Sequence, residues 1–280
     1  MPQNKVNKEK HWFKLWVTEG YSIRQLSLIS GHSQFKLKQI KNHWLSKGPP
    51  ALSSINYKAT KYIILDGTYF NKDGCLIVFV DAVTGKPFYY AYVDKESYYS
   101  VLPLLEDMKA KGLNPKAFIV DGDRMVTKAL LEAWPNVIIQ RCLFHIERQG
   151  LQWLRSFPKT QAGQDLRIIL KSLGALNAKG EMCSFLSSYS QWREKYYQFI
   201  CLLPKTSTAN KDLKRTMSLV DNALSDMFHF VKDQNIQTTT NFLENFFAQL
   251  KHRYRGHKGL SEKHKIAYLK WYCYYKNKSN

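Results

Sequence analysis

The chain has 280 residues, enough for one large domain and a small one, and its 44% hydrophobic content is that of a globular protein rather than a disordered tail. Lysine and arginine number 42 against 22 aspartates and glutamates, a formal charge of +20 spread along the whole chain, so a polyanionic partner is expected, and nucleic acid is the usual one. No apolar run approaches the roughly 20 residues of a membrane-spanning helix, and the N-terminal stretch lacks the apolar centre of a signal peptide. The five cysteines are scattered and odd in number, which fits reduced thiols in a cytoplasm better than a disulfide framework.

Residues 1–10 are polar and basic. Over 11–45 the spacing is helical: Trp12, Leu15 and Trp16 fall on one face, Gly20 interrupts, Ser22 is an N-cap for a second short helix, and residues 30–33 turn the chain. A third helix over 34–44 carries Lys36, Lys38 and Lys41 beside Phe35, Leu37, Ile40 and Leu45. Helix, glycine, short helix, turn and basic helix make the pattern of a helix-turn-helix over 1–47, with the three lysines as DNA contacts. A plain three-helix bundle shares that pattern. Residues 48–60, with a glycine, two prolines and two serines, read as a linker.

Apolar, β-branched runs then predict strands over 62–66, 75–81 and 87–93, the last two joined as a hairpin through Thr84-Gly85. A helix over 98–111, a strand over 117–121, a helix over 126–133 and a strand over 137–140 follow. Three strands and then β–α alternation predict an α/β fold, a mixed sheet flanked by helices. Residues 142–237 lose the strand signal and read as helical, with segments over 151–157, 164–173, 184–199 and 213–231. They are expected to form a helical insertion subdomain in a sheet domain built from 61–141 and 238–280, the alternative being a separate C-terminal domain. A last aromatic, basic helix is expected over 262–278.

Two of the strands deliver an acid followed by glycine, Asp66-Gly67 and Asp121-Gly122, and a third acid, Glu244, lies on a helical stretch whose apolar face is Leu243, Phe246, Phe247 and Leu250. Phosphodiester chemistry at neutral pH uses two divalent metals roughly 4 Å apart, held by carboxylates. Mg²⁺ takes hard oxygen donors and keeps several waters, so two or three carboxylates suffice. Lys251 and Arg255 lie further along the same helix, where they would meet phosphates. Asp123, two residues beyond Asp121, is the rival second acid.

The ordered series Asp66-Gly67-Thr68, Val120-Asp121-Gly122, Gln140-Arg141-Cys142-Leu143-Phe144-His145 and Thr240-Asn241-Phe242-Leu243-Glu244 resembles the DDE transposases of bacterial insertion sequences in the IS256 and Mutator-like (MULE) group. The resemblance covers about 61–260. It implies an RNase H-like catalytic core, a Mg²⁺ or Mn²⁺ two-metal site, and Asp66, Asp121 and Glu244 as catalytic and metal-binding triad. The implied activity is cleavage at the element's ends and strand transfer into target DNA. The implied partner is double-stranded DNA, both terminal inverted repeats and target, bound by a homodimer or larger assembly in a bacterial, nucleoid-associated cytoplasm. A nuclease of the same fold that does not join ends, and a non-catalytic DNA-binding regulator, are the alternatives.

Cys142 and His145 lack a second pair at zinc spacing. The resemblance implies instead that they, with Asn241, support the active site; a buried core thiol is the other reading of Cys142. Trp153 and Trp192 are either core residues or stacking platforms for a base. Arg253, Tyr254, Arg255, His257 and Lys258 form a basic, aromatic run, of which Arg253, Arg255 and Lys258 join Lys251 as expected phosphate contacts.

Overall fold

A computed structural model describes residues 3–52, 55–70, 74–257 and 259–278. The chain forms two compact units: Met1–Tyr57 with Asp66–Glu96 and Phe242–Asn280, and Lys58–Leu65 with Ser97–Asn241. Five strands follow the order β3-β2-β1-β4-β5 in a mixed sheet: β1 (Tyr62–Tyr69), β2 (Cys75–Asp81), β3 (Lys86–Val93), β4 (Ala117–Val120) and β5 (Ile138–Arg141). β1 begins in the second unit and ends in the first.

The first unit starts with three helices, α1 (Gln3–Glu19), α2 (Ile23–Ser30) and α3 (Gln34–Lys47). The Ser22 hydroxyl accepts from the Gln25 amide, and the Gln25 side chain accepts from the Ser22 amide, a reciprocal cap that fixes the start of α2. Gly31 ends α2 at φ 71°, a left-handed conformation natural to glycine, and Ser33 caps α3. Leu37, Ile40 and Leu45 are buried as the spacing predicts, whereas Phe35 is 71% exposed.

The same unit contains α10 (Asn241–Arg255) and α11 (Glu262–Lys278), apart from Asn241 itself. Its core is aromatic. Phe13, Trp16, Trp44, Tyr268, Trp271 and Tyr275 are buried and in ring contact. Two of them tie the helices together by hydrogen bonds: the Trp271 indole N–H donates to the Trp44 carbonyl at 2.9 Å, and the Tyr268 hydroxyl to the Val17 carbonyl at 3.0 Å. β2 and β3 pair antiparallel with a register shift between Phe79 and Val80. Asn277 of α11 donates to the Pro87 carbonyl of β3.

In the second unit β1 pairs parallel with β4, Ile63 opposite Phe118, and β4 with β5, Phe118 opposite Ile139. α4 (Tyr98–Ala110) and α5 (Arg124–Ala133) pack on one another. The helical region begins earlier than predicted: α6 spans Leu143–Leu154 rather than starting at residue 151. α7 (Gln161–Lys171), α8 (Lys179–Leu202) and α9 (Thr208–Asp221) follow, and short 3-10 turns at Leu224–Asp226 and His229–Val231 replace the second half of the helix expected over 213–231. Trp192 is core: it is buried, stacks with Tyr189, and donates to the Ala162 carbonyl at 2.9 Å. Among the described residues no helix is long and apolar enough to cross a membrane.

Candidate active site

Asp66 stands in mid-strand rather than at a strand end, because β1 runs on through Gly67, Thr68 and Tyr69. The buried run Ile63-Ile64-Leu65 fixes the strand, and Asp66 is half-buried beyond it, its Oδ1 accepting from the Gly67 amide at 2.8 Å. Gly67 has no space for a side chain. A Cβ there would overlap the Glu96 carboxylate and come within 2.9 Å of Cys75 Sγ. Glu96, from the loop after β3, therefore lies against the backbone next to Asp66, and nothing in the sequence marks it, since Asp94-Lys95-Glu96 reads as an ordinary turn. Burial first, then the charges of Glu96 and Asp66, push the Cys75 thiol up to about 12, with the Lys251 ammonium pulling the other way.

Lys251 comes from α10, its ammonium 5.7 Å from the centre of the Phe70 ring. Glu244 lies in the first turn of that helix, where the helix dipole favours a carboxylate. Leu243, Phe246, Phe247 and Leu250 form its buried face, as the spacing predicts.

Asp121 follows β4, whose four residues are all buried. Its Oδ1 accepts from the Asp123 amide at 2.9 Å. Asp123 in turn caps α5, its Oδ1 accepting from the amides of Met125 and Val126 at 2.8 and 3.0 Å. Helix capping accounts for Asp123, and it is Asp121 whose charge acts on the Arg141 guanidinium. Burial lowers the Arg141 pKa, while Asp121 and Asp226 pull it back up. Gly122, at φ 93°, lets Arg141 pass: a Cβ would overlap the guanidinium.

Cys142 and His145 both meet Thr240. Cys142 is fully buried and begins α6. The Thr240 amide and hydroxyl approach its sulfur at 3.2 and 3.4 Å, the Thr240 hydroxyl lies 3.3 Å from His145 Nδ1, and the Leu143 amide donates to the Thr238 carbonyl at 2.9 Å. The Cys-x-x-His pair thus clasps the strand of chain that leads into α10, and Asn241 is the first residue beyond the clasp. Burial pushes the Cys142 thiol up, but the His145 ring and Thr240 outweigh it and hold the thiol below its ordinary value.

The expected DNA contacts divide. Lys36 is ion-paired with Glu9 at 2.7 Å, and Lys41 packs 5.9 Å from the Trp16 ring centre, whereas Lys38 is exposed. Arg253 donates to the Glu19 carbonyl at 3.0 Å, so it ties α10 to the end of α1; Arg255 is exposed. Lys258 lies outside the described residues. His257 is buried, with Nε2 2.9 Å from the Trp16 carbonyl.

Asp66 and Glu244 belong to one compact unit, and Asp121, Cys142, His145 and Asn241 to the other. Among the described residues no group of three or more His, Cys, Asp or Glu side chains is gathered as a metal ion would need. The donor chemistry of the three acids, all hard oxygen, is the kind Mg²⁺ takes. No curated protein matches the chain. Residues 88–265 match the family model described as "Transposase, Mutator family", a stretch that includes Asp121, Cys142, His145 and Glu244 and begins beyond Asp66.

Proposed function

Because the chain belongs to the Mutator family of transposases, we propose that it cuts DNA at the ends of its element and joins the freed 3′-hydroxyl to target DNA by DDE chemistry. Asp66, Asp121 and Glu244 are the three acids of this reading. The observation that carries it is the family match over residues 88–265, together with the order of the three acids and of the Cys-x-x-His between them. The mixed sheet flanked by helices suits an RNase H-like core, and the reciprocally capped α2 followed by α3 suits a helix-turn-helix that reads the terminal inverted repeats.

The carboxylates would hold Mg²⁺ or Mn²⁺ in a two-metal site, which supplies charge neutralisation at the scissile phosphate and a nucleophile at neutral pH. This chain's own residues do the rest. Lys251, beside the Asp66 strand, and the exposed Arg255 on the same helix carry positive charge toward phosphates. The Cys142–His145–Thr240 clasp fixes where α10 starts, and so where Glu244 stands in its first turn. Two ends must be joined, so the working form is a homodimer or larger assembly on double-stranded DNA, in a bacterial cytoplasm.

The test is cleavage of a labelled duplex spanning the sequences that flank the coding region, with Mg²⁺ or Mn²⁺, comparing the wild type with Asp66→Asn, Asp121→Asn and Glu244→Gln. Each variant is expected to lose cleavage while keeping the wild-type thermal transition. Full cleavage by Asp66→Asn would sink the assignment, and cleavage without any joined product would reduce the activity to that of a nuclease.

A further inference from the structure

Between Glu19 and Asp66 the sequence holds neither aspartate nor glutamate, so α2 and α3 are free of acids. A surface of that kind suits a polyanion. Within it α3 has two opposite faces. Leu37, Ile40 and Trp44 are buried, whereas Phe35, Lys38, Gln39 and Asn42 are exposed. Their spacing of i, i+3, i+4 and i+7 puts these four on one stripe. The lysines beside the stripe are engaged within the fold: Lys36 pairs with Glu9 at 2.7 Å, and Lys41 lies 5.9 Å from the Trp16 ring centre. The Ser33 hydroxyl accepts from the Lys36 amide at 3.2 Å and fixes the turn that carries Phe35. At the far end, the Ser46 hydroxyl lies 3.5 Å from His264 Nε2 of α11. The open part of the stripe is therefore the N-terminal half of α3, the part of a recognition helix that meets base edges.

The side chains on it suit bases rather than phosphates alone. Phe35 is 71% exposed, an apolar ring where a phosphate-binding surface would carry a polar group, and the thymine methyl is the apolar feature of the major groove. The amides of Gln39 and Asn42 match N6 and N7 of adenine, and the Lys38 ammonium matches O6 and N7 of guanine. From Phe35 to Asn42 the helix rises about 10 Å, which is about three base-pair steps of roughly 3.4 Å.

We propose that α3 reads a short run of base pairs in the major groove of a duplex, with Phe35 on a thymine methyl, Gln39 and Asn42 each on an adenine, and Lys38 on a guanine, so that A·T pairs outnumber G·C pairs in the preferred site. The inference rests on the helix-turn-helix of the transposase reading and adds which bases are selected and by which side chains.

The experiment is selection of bound duplexes from a pool with a randomised centre, by the full chain in EDTA, followed by Kd measurements on the enriched site and on copies changed at one pair. The wild type is expected to enrich a site made mostly of A·T pairs. Gln39→Lys is expected to turn one preferred A·T pair into G·C and to leave the others, because lysine matches guanine. Asn42→Ala and Phe35→Ala are each expected to cut the discrimination at one A·T pair about fivefold or more. Gln191→Lys adds the same charge at an exposed position of α8 and is expected to move no preference. Misfolding weakens binding to every duplex alike and does not exchange one base for another, so Gln39→Lys separates readout from structure. An enriched site whose preference Gln39→Lys leaves unchanged would overturn the base assignment while the helix-turn-helix stands. Loss of self-association in Phe35→Ala, with its base preference intact, would give that ring to a second copy of the chain and overturn its assignment. No enrichment by the wild type would overturn both the base assignment and the helix-turn-helix. Cleavage is tested separately by the Asp66→Asn comparison, so the catalytic reading can stand or fall independently.

Discussion

Thr240→Val removes a hydroxyl from a fully buried site and keeps the side chain's volume. Two contacts go with it, 3.4 Å to Cys142 Sγ and 3.3 Å to His145 Nδ1, while the Thr240 amide keeps its 3.2 Å approach to the sulfur. Both lost contacts are long, so each contributes toward the lower part of a hydrogen bond's range, and the sum is about 1–2 kcal/mol. For a chain of this size that is a fall in Tm of about 2–8 °C. The loss carries a pH signature. The Cys142 thiol is held below its ordinary value of 9.0, and an acid whose folded pKa is depressed contributes stability that is present above the unfolded pKa and lost as pH falls through the folded one. Thr240 supplies part of that depression. The deficit of Thr240→Val relative to wild type should therefore be larger at about pH 9.5 than at about pH 7, where more of the thiol is neutral in both folded proteins. Urea denaturation of both proteins at the two pH values measures it. A deficit that is absent, or that shrinks as pH rises, refutes the clasp as an energetic unit.

Gly122→Ala should destabilise by about 1–2 kcal/mol for the positive φ alone, with a further loss because the new methyl displaces the Arg141 guanidinium; a Tm equal to wild type would contradict the close approach of those two residues. Burial lowers the pKa of His257 below 6.5 against the pull of its backbone partners. A buried neutral histidine contributes stability that is present above the unfolded pKa and lost as pH falls through the folded one. The wild-type urea midpoint is therefore expected to drop below about pH 6.5, and His257→Gln to flatten that drop; parallel profiles for the two proteins would exclude His257 as the source.

Strong periodic patterns were legible from residues alone. The helix over 262–278 is where its aromatic and basic spacing puts it, and the strand over 75–81 likewise. Where expectation and structure part, glycine is often the reason. Gly67 reads as a strand end, yet β1 continues through it, because the position must be bare to admit the Glu96 carboxylate. Gly150 weakens the helical signal at the start of the helical region, yet it sits inside α6, where a Cβ would come within 2.5 Å of Leu170 Cδ1 of α7. A packing requirement set by a distant element leaves no local trace. The same holds for the candidate site: the acids, the Cys-x-x-His and Thr240-Asn241 stand out by order, whereas Glu96 is ordinary in sequence and acquires its place only through Gly67, far along the chain.

The aromatic core described above also sets a timetable. Phe13, Trp16 and Trp44 emerge from the ribosome early, but the rings that cover them, Tyr268, Trp271 and Tyr275, come from the last helix. Synthesis runs at roughly 5–20 residues per second, so for many seconds the nascent N-terminal helices carry three large, uncovered aromatic side chains while the second unit, complete by residue 241, can already close. A messenger cut short before the codon for Trp271 would yield a basic chain with those rings in water, a product marked for aggregation or proteolysis.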